Sequence, residues 1–305
     1  MAAFARFKRH LVQLLAALLY NLNLPGFATG TIYQGSLKGV CVPGLNCYSC
    51  PGAIGACPIG SLQAALVNAG QRLPFYVVGT ILAFGALLGR TVCGWLCPFG
   101  LLQDLLDKVP LPKIAKGAWS RALSWGKYLV LAGLVVVAPI VLLTTTGVGT
   151  PAFCSWLCPA GTLEAGVPLV ASSSSLQMMV GALFNWKVGL LVALVVVALF
   201  VYRPFCRFLC PLGALYSLFN RFALLRYRVD DARCTGCNAC VEACKADIHQ
   251  VSDRECIQCG ACVTACQSDA ISFTIHDMLK RNTTGSHSED QLATNPPFPE
   301  PKNDR

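Results

Sequence analysis

The sequence predicts a mainly α-helical membrane protein with about four transmembrane helices, followed by a small cysteine-rich α+β domain. Of the 305 residues, 54% are hydrophobic and 13% are charged, whereas soluble domains usually carry about 25% charged residues. The chain also contains 18 cysteines, far more than core packing requires. Disulfides, zinc sites and iron–sulfur clusters are the three common uses of so many thiols, and the spacing of the cysteines distinguishes between them.

Four apolar runs are the predicted transmembrane helices. A spanning helix needs about 20 apolar residues, with about 17 to 25 as the usual range, and the second and fourth runs are short by that measure. The aromatic rings of Trp95, Trp186 and Tyr202 flank these runs and suit the membrane interface. The first run follows a basic stretch and lacks an evident cleavage site, so an anchor is favoured over a signal peptide. The runs cover residues 11–29, 73–88, 128–147 and 188–202.

Positive charge is concentrated beside the apolar runs. The net charge is +9, and lysines and arginines gather in residues 6–9, 108–127 and 203–228. This is the positive-inside pattern of a multi-pass membrane protein, and it argues against nucleic-acid binding. It predicts an inner (cytoplasmic) membrane protein with the three basic blocks in the cytoplasm and the loops 30–72 and 150–185 on the outer side.

One phrase, C-x3-C-P-x-G-x-L, occurs three times in the chain. It begins at Cys93, Cys154 and Cys206, and a looser copy, CPIGSL, begins at Cys57. One predicted span separates successive copies, so the copies alternate between the two sides of the membrane. The cytoplasmic set, here named the inner quartet, consists of Cys93, Cys97, Cys206 and Cys210. The outer cysteines are Cys41, Cys47, Cys50, Cys57, Cys154 and Cys158.

The inner quartet provides four thiolates, the number that a [4Fe–4S] cluster requires. Neither pair completes a site alone. Counting the looser copy at Cys57 as the first, the second copy (from Cys93) and the fourth (from Cys206) are therefore expected to meet. Proline suits the first position of a helix, which puts the preceding cysteine at a helix N-terminus. Backbone N–H groups and the helix dipole favour an anionic thiolate there. The glycine that follows is expected to allow a close approach of the backbone.

The six outer cysteines compete for one comparable site. By analogy with the inner quartet, the preferred ligands are Cys50, Cys57, Cys154 and Cys158. Cys47 is the close alternative, because the spacing Cys47-Tyr-Ser-Cys50 also suits a ligand pair. An oxidising outer compartment permits a disulfide between the two surplus cysteines, and the competing interpretation is that all six form disulfides. The shared repeat favours a second membrane cluster and leaves the role of Cys41 open.

Two C-x2-C-x2-C-x3-C runs, CTGCNACVEAC and CIQCGACVTAC, occupy residues 234–244 and 256–266. This spacing is the signature of bacterial two-cluster ferredoxins, in which the fourth cysteine of each run binds the other cluster. Lys245 and Gln267 replace the proline that usually follows, which removes no ligand, and zinc is the disfavoured alternative. One cluster is assigned to Cys234, Cys237, Cys240 and Cys266. The other is assigned to Cys256, Cys259, Cys262 and Cys244.

These patterns divide the chain into three parts. Residues 1–228 form the transmembrane domain with the repeated cysteine loops, and residues 229–275 form a cytoplasmic two-cluster ferredoxin-like (α+β) domain. Residues 276–305 are a polar tail that is disordered or docks a partner. The sequence has no C-x-x-C-H motif, no histidine inside an apolar run and no glycine-rich phosphate loop, which argues against haem and nucleotide sites.

The chain resembles the NapH/MauN-type membrane ferredoxins and the membrane electron-transfer part of NosR-type proteins. The resemblance rests on the four apolar runs, the C-x3-C-P pairs and the two ferredoxin runs, and it covers about residues 6–272. It implies quinol oxidation and electron delivery to periplasmic reductase systems, by a quinol dehydrogenase-type subunit of an oxidoreductase complex. The outer cysteines depart from the two inner pairs of the family and suggest clusters on both faces.

Four groups of cysteines predict an electron-transfer subunit with four [4Fe–4S] clusters and no catalytic residue. Its expected donors are a quinone pool or a cytoplasmic ferredoxin-type protein, and its expected outer partner is a periplasmic iron–sulfur or cytochrome protein. No quinone residues are assigned, since interfacial anchoring explains Trp95, Trp156 and Phe208 equally well. The alternative function is a membrane redox sensor or maturation factor, although no regulatory output domain is evident.

Overall fold

A computed structural model describes residues 2–67, 75–114 and 117–273, and most of them are helical. The start of the second apolar run and the tail 276–305 lie outside the described residues. The first helices are α1 (Ala2–Tyr20), α2 (Pro25–Thr29), α3 (Pro58–Val67), α4 (Phe75–Leu88), α5 (Thr91–Trp95) and α6 (Pro98–Leu106), with a 3₁₀ turn at Ser36–Gly39.

The middle of the chain contains two π-helical turns, Leu131–Val137 and Thr162–Gly166. Its α-helices are α7 (Ala118–Leu123), α8 (Gly126–Val130), α9 (Ala138–Thr146), α10 (Ala152–Trp156), α11 (Pro159–Gly161), α12 (Val167–Ser172) and α13 (Ser174–Met178). The last elements are α14 (Ala182–Phe200), α15 (Pro204–Phe208), α16 (Pro211–Phe219), β1 (Tyr227–Val229), α17 (Ala239–Glu242), α18 (Ala261–Ala265) and β2 (Ile271–Phe273).

Two helical stretches of the described chain, Trp119–Thr146 and Ala182–Phe200, are long and apolar enough to cross a membrane. The shorter apolar helices are α3 and α4. Each long stretch begins before the apolar run predicted for it. In the second stretch the extra turn is anchored by Lys187, whose ammonium group donates a hydrogen bond to the carbonyl of Cys154 (3.2 Å). This hydrogen bond ties the beginning of the helix to the loop of the third cysteine pair.

The first apolar run, residues 11–29, is divided into two helices, so the prediction of one continuous helix is wrong there. The α1 helix ends at Tyr20, and the side chain of Asn21 donates a hydrogen bond to the Ala17 carbonyl at its end (2.9 Å). The next helix begins only at Pro25, a residue with no N–H group to continue the hydrogen bonding of α1. Hydropathy alone does not detect this break.

The buried core lies around the cysteine repeats. Val92, Phe153 and Phe205 each precede the first cysteine of a copy, and all three are fully buried. Phe205 packs edge-on against Phe99, with ring centroids 5.1 Å apart. Burial of one such side chain stabilises a fold by about 1.5–3 kcal/mol. The apolar residue inside each copy therefore helps to fix the turn that holds its two cysteines.

The ferredoxin-like domain sits directly on the second copy of the repeat. The β1 and β2 strands pair antiparallel and close the domain at its two ends. The indole N–H of Trp95 donates a hydrogen bond to the carbonyl of Gln258 (2.8 Å). Gly94 approaches the carbonyl of Ile257 so closely that a Cβ atom at this position would collide with it. A glycine is therefore required where the two parts meet.

Ion pairs hold the same two parts together. The Glu255 carboxylate accepts from Arg90 (2.8 Å) and from Lys127, and all three side chains are buried. Lys245 of the ferredoxin-like domain pairs with Asp107, which follows α6 (2.5 Å). Removing one partner of a buried pair typically costs about 3–5 kcal/mol. The relative position of the two parts is therefore fixed by charge as well as by apolar packing.

Candidate iron–sulfur sites

The three copies of the repeat adopt one backbone conformation. In each, the first cysteine is the third residue of a five-residue helix (α5, α10 or α15), a leucine follows that helix, and the second cysteine caps the next helix. The three leucines have φ/ψ of −119°/−12°, −122°/−25° and −124°/−21°. The three capping cysteines have φ/ψ of −86°/118°, −66°/108° and −74°/113°, each followed by proline. The predicted position of the second cysteine at a helix N-terminus is confirmed.

The glycine of the repeat brings a backbone N–H group to the sulfur atom. The N–H of Gly161 donates to Cys158 Sγ (3.4 Å), and the N–H of Gly213 donates to Cys210 Sγ (3.3 Å). Hydrogen bonds of this kind stabilise a thiolate, which is the form that binds iron. The close approach expected at this glycine is thus present in the third and fourth copies.

The structure brings the inner quartet together, and all four of its thiols are buried. Burial raises the pKa of Cys97, and so does negative charge on Cys206 and Cys93. Burial and the other three thiols likewise raise the pKa of Cys210. The four thiols therefore lie close enough for their negative charges, when ionised, to repel one another unless cations offset them.

Gln103 of α6 is a residue of the inner site that the repeat does not reveal. Its side chain is buried, and the amide nitrogen donates a hydrogen bond to Cys206 Sγ (3.0 Å). The amide oxygen accepts from the backbone N–H of Phe205 (3.2 Å). Gln103 thus joins the second copy of the repeat to the fourth. The signal in the sequence was a glutamine within the apolar stretch LLQDLL.

Four of the outer cysteines line a cavity of about 820 Å³, and they are Cys47, Cys57, Cys154 and Cys158. The Cβ position of Gly161 would lie 3.6 Å from Cys47 Sγ and 3.7 Å from Cys158 Sγ. Burial raises the pKa of Cys154, and the thiols of Cys57 and Cys47 raise it further. The structure therefore places Cys47, the alternative ligand, among these four thiols.

Cys50 and Cys41 do not line this cavity. Cys50 is buried, and burial raises the pKa of its thiol. Cys41 packs with Val77 and Ile81 in a separate small apolar cluster. All eighteen cysteines lie in the described part of the chain, and all are free thiols there.

Glu164 adds a carboxylate to the outer site. Its Oε2 atom accepts a hydrogen bond from the backbone N–H of Cys47 (2.6 Å). Burial raises the pKa of this carboxyl group to about 7. The TLEAGV stretch that follows the third copy thus contributes a polar group that cysteine spacing does not indicate.

In the ferredoxin-like domain, the thiols assigned to each cluster lie near one another. Burial raises the pKa of Cys262 to about 12, and the thiols of Cys256, Cys259 and Cys244 contribute to that rise. Burial raises the pKa of Cys240 in the other group, and the thiols of Cys234 and Cys237 contribute to that rise. Hydrogen bonds from the backbone lower the pKa of Cys237, and the thiol of Cys266 acts against that shift. Within residues 2–67, 75–114 and 117–273, no three thiol, imidazole or carboxylate groups could together hold a single metal ion. A [4Fe–4S] cluster allows wider spacing, because each thiolate binds a different iron.

The loop that carries the outer cysteines also contacts the inner quartet. The Cβ position of Gly44 would lie 3.2 Å from the Cα atom of Cys97, and Cys47 follows Gly44 by three residues. Tyr216 is fully buried and donates a hydrogen bond from its hydroxyl to the carbonyl of Pro43 in the same loop (2.9 Å). The outer and inner sites are therefore neighbours, a relation that the predicted alternation of sides does not suggest.

Two family models, each described as a 4Fe-4S binding domain, match the chain. The first matches three segments, residues 73–119, 129–167 and 182–229, and each segment holds one complete C-x3-C-P copy. The second matches residues 249–272, which hold the second ferredoxin run.

Named relatives match at similar levels of identity. The methylamine utilization ferredoxin-type protein MauN of Paracoccus denitrificans is 30% identical over 60% of this chain and 58% of its own length. The ferredoxin-type protein NapH of Haemophilus influenzae is 29% identical over 54% of this chain and 50% of its own length. The regulatory protein NosR of Pseudomonas aeruginosa is 30% identical over 56% of this chain and 22% of its own length.

The chain thus spans about half the length of the MauN and NapH relatives that it matches. No solved structure matches the chain. The repeated cysteine loops, the ferredoxin run and the agreement with MauN and NapH give one conclusion. The chain belongs to the NapH/MauN-type family of ferredoxin-type iron–sulfur proteins.

Proposed function

We propose that the chain is a membrane-bound electron-transfer protein that binds four [4Fe–4S] clusters, one in each group of four cysteines. The observation that carries this proposal is the order of the four groups in space. The supporting contacts lead from the ferredoxin-like domain, where Cys234 and Cys237 are exposed, through the inner quartet to the loop that carries the outer cysteines. A bound [4Fe–4S] cluster accepts and releases single electrons, and a series of such sites suits electron transfer through a protein.

The residues present fit such clusters. The inner quartet offers four buried sulfur atoms whose negative charges repel one another, with N–H donors directed at two of them. The outer cavity of about 820 Å³ offers room for a cluster between four cysteines. We propose that its ligands are Cys47, Cys57, Cys154 and Cys158, with Cys50 as the alternative to Cys47.

Contacts between the groups define the proposed electron path. Inside the ferredoxin-like domain, the thiol of Cys240 in one group lies close enough to Cys262 in the other to contribute to the raised pKa of Cys262. Cys259 of the second group packs against the same apolar core that contains Cys93 and Cys97 of the inner quartet. The loop through Gly44 then connects the inner quartet to the outer site. Electrons would therefore need to cross only short gaps between neighbouring groups.

We propose that four segments cross the inner membrane: α1, α4, Trp119–Thr146 and α14. The ferredoxin-like domain then lies in the cytoplasm together with the loop after α6. The ion pairs support this placement, since Lys113 of that loop and Lys245 of the domain both pair with Asp107. Basic residues in both parts agree with the positive-inside pattern.

Reporter fusions test this topology. A reporter fused after Lys113 is expected on the cytoplasmic side, and one fused after Pro168 on the outer side, because one membrane crossing lies between them. Alkaline phosphatase and a fluorescent protein, which are active on opposite sides, provide the measurement and each other's control. Finding both sites on one side would contradict the proposed crossing.

We propose that quinol donates electrons at a second cavity of about 320 Å³, which lies between α1, α6 and the ferredoxin-like domain. His10, Tyr202 and the ferredoxin cysteine Cys259 are among its lining residues. Quinol oxidation releases protons together with electrons, so the site requires a proton acceptor beside an electron acceptor. The imidazole of His10 meets the first requirement, and a cluster on Cys259 meets the second.

Quinol reduction and iron content test the proposed function together. The purified protein should contain about sixteen irons per chain, since each of four clusters holds four. A soluble quinol should reduce the clusters chemically, and EPR follows their reduction. The His10→Gln variant should be reduced by quinol at least tenfold more slowly, while dithionite still reduces every cluster. The matched control is His249→Gln, because His249 lies on the domain surface beside Arg121.

The contradicting outcomes are distinct. Iron near eight per chain, with ferredoxin-type signals alone, would remove the two membrane clusters. An unchanged rate in His10→Gln would reject the quinol site but not the clusters. Full iron content with no reduction by quinol at turnover-relevant rates would favour the redox sensor over the electron carrier.

A further inference from the structure

The two inner copies of the repeat share an arginine that the outer copy lacks. Arg90 and Arg203 each stand three residues before the first cysteine of their copy, in RTVC and RPFC, whereas the outer copy has Pro151 at this place. Both arginine side chains are almost completely buried, with 0% and 1% exposure. Removing a guanidinium group from water costs free energy. The contacts that each buried arginine makes therefore indicate its role in the protein.

Each arginine reaches across to the other copy. The Nη2 atom of Arg90 donates a hydrogen bond to the carbonyl of Cys206 (3.1 Å), and the Nη1 atom of Arg203 donates one to the carbonyl of Cys93 (2.7 Å). The two contacts are reciprocal, since each copy gives an arginine and receives one at its first cysteine. The pair of arginines therefore brackets the inner quartet from both sides.

The carboxylates beside the arginines do not cancel their charge. Asp104 is shared by Arg203 (2.5 Å) and Arg9 (2.8 Å). Glu255 is shared by Arg90, Lys127 and, at 3.9 Å, Arg254. Each side of the quartet therefore has at least two cations for one carboxylate, an excess of positive charge. Two of the cations on each side are arginines, Arg9 and Arg203 beside Asp104 and Arg90 and Arg254 beside Glu255. Arginine does not lose its proton in proteins, so this excess is permanent.

We propose that Arg90 and Arg203 are positioning and charge-setting residues that raise the reduction potential of the cluster bound by the inner quartet. This inference rests on the proposed function, because it requires a cluster at that quartet. Reduction adds negative charge to a site that already has four thiolates. Buried positive charge stabilises the reduced form more than the oxidised form, and net charge and hydrogen bonding are among the factors that set cluster potentials.

The test is an EPR-monitored redox titration of the purified full-length protein. Arg203→Gln and Arg90→Gln should each lower the midpoint potential of the inner cluster by about 59 mV or more. For one electron this is a tenfold change in the ratio of reduced to oxidised cluster at a given potential. Arg203→Lys should shift the midpoint potential by less than that, because the charge is kept. Both glutamine variants leave the neighbouring carboxylate with at least one cationic partner, which favours folding.

Two further variants distinguish a charge effect at the quartet from general damage. Asp104→Asn removes a negative charge and should shift the inner-cluster potential upward, the opposite direction. Arg207→Gln is the matched control, because this buried guanidinium bonds to Ser120 and faces Asp247, not a cysteine carbonyl. Arg207→Gln should change the midpoint potential of the inner cluster by less than about 59 mV, the value that corresponds to a tenfold change in the ratio of reduced to oxidised cluster.

The results that overturn the inference are specific. Potentials unchanged in both arginine-to-glutamine variants would show that the charge is not used, as would a lysine variant shifted as far as glutamine. An equal shift in Arg207→Gln would show that any buried arginine near the site has this effect, and that the hydrogen bonds of Arg90 and Arg203 to the cysteine carbonyls do not matter. If a glutamine variant loses the inner iron, the sign of the Asp104→Asn shift decides, and a downward or absent shift overturns the inference. Absence of an inner-cluster signal in the unmodified protein would instead overturn the proposed function.

Discussion

Replacing Cys93 and Cys97 together by serine is expected to abolish one EPR signal and to remove about four of the sixteen irons. The same signal should vanish when Cys206 and Cys210 are replaced, because all four thiols are buried and lie near one another. A serine hydroxyl is a poor substitute for a thiolate iron ligand. Losing the cluster should also lower the thermal stability of the membrane part, since binding of a metal centre is coupled to folding.

The ferredoxin signals provide the internal control for this experiment. Their eight thiols belong to the domain after residue 229, so these signals should persist in both double variants. Electron passage from that domain to an outer acceptor should be lost. If the two double variants abolished different signals, the pairs would belong to different centres, and the meeting of the second and fourth copies would be refuted.

Cys47→Ser is expected to remove the outer cluster, whereas Cys50→Ser should retain it. Cys47 lines the outer cavity, and its sulfur lies beside the Gly161 backbone across from Cys158. Cys50 is buried nearby but does not line that cavity. The comparison is closely matched, because the two cysteines are three residues apart in one loop. Iron analysis should give about twelve irons per chain for the first variant and about sixteen for the second.

The reverse pattern would restore Cys50 as the ligand that the repeat alone favours. Loss of the outer signal in both variants would require a ligand set that includes both cysteines. Cys41→Ser adds a second control, because Cys41 packs in a separate apolar cluster. It is expected to leave all four signals in place.

The repeat made the local structure of the cysteine sites predictable. Proline after the second cysteine restricts that residue to a helix start, and all three copies share this geometry. The choice between Cys47 and Cys50 could not be made from spacing, since both suit a ligand pair. The path of their loop is decided by distant contacts, such as the hydrogen bond between the side chains of Asn21 and Asn46 (2.8 Å).

Long-range charge pairing was likewise invisible in the sequence. Arg90 and Arg203 read as ordinary members of basic segments beside apolar runs, and the positive-inside pattern explains them without a site. Their role emerges only where the chain brings residues more than one hundred positions apart into contact. Asp104 similarly reads as one polar residue of an apolar helix until its two arginine partners are known.

The short link between Gly44 and Cys47 has an electrical consequence. Three residues span at most about 10 Å, whereas the hydrocarbon core of a bilayer is about 30 Å thick. One electron that crosses an entire membrane exchanges about 2.3 kcal/mol with each 100 mV of transmembrane voltage. Only a fraction of that voltage falls between two sites so close together. In the proposed orientation, the voltage therefore acts chiefly on the steps that bring electrons to the inner quartet and carry them away from the outer cavity.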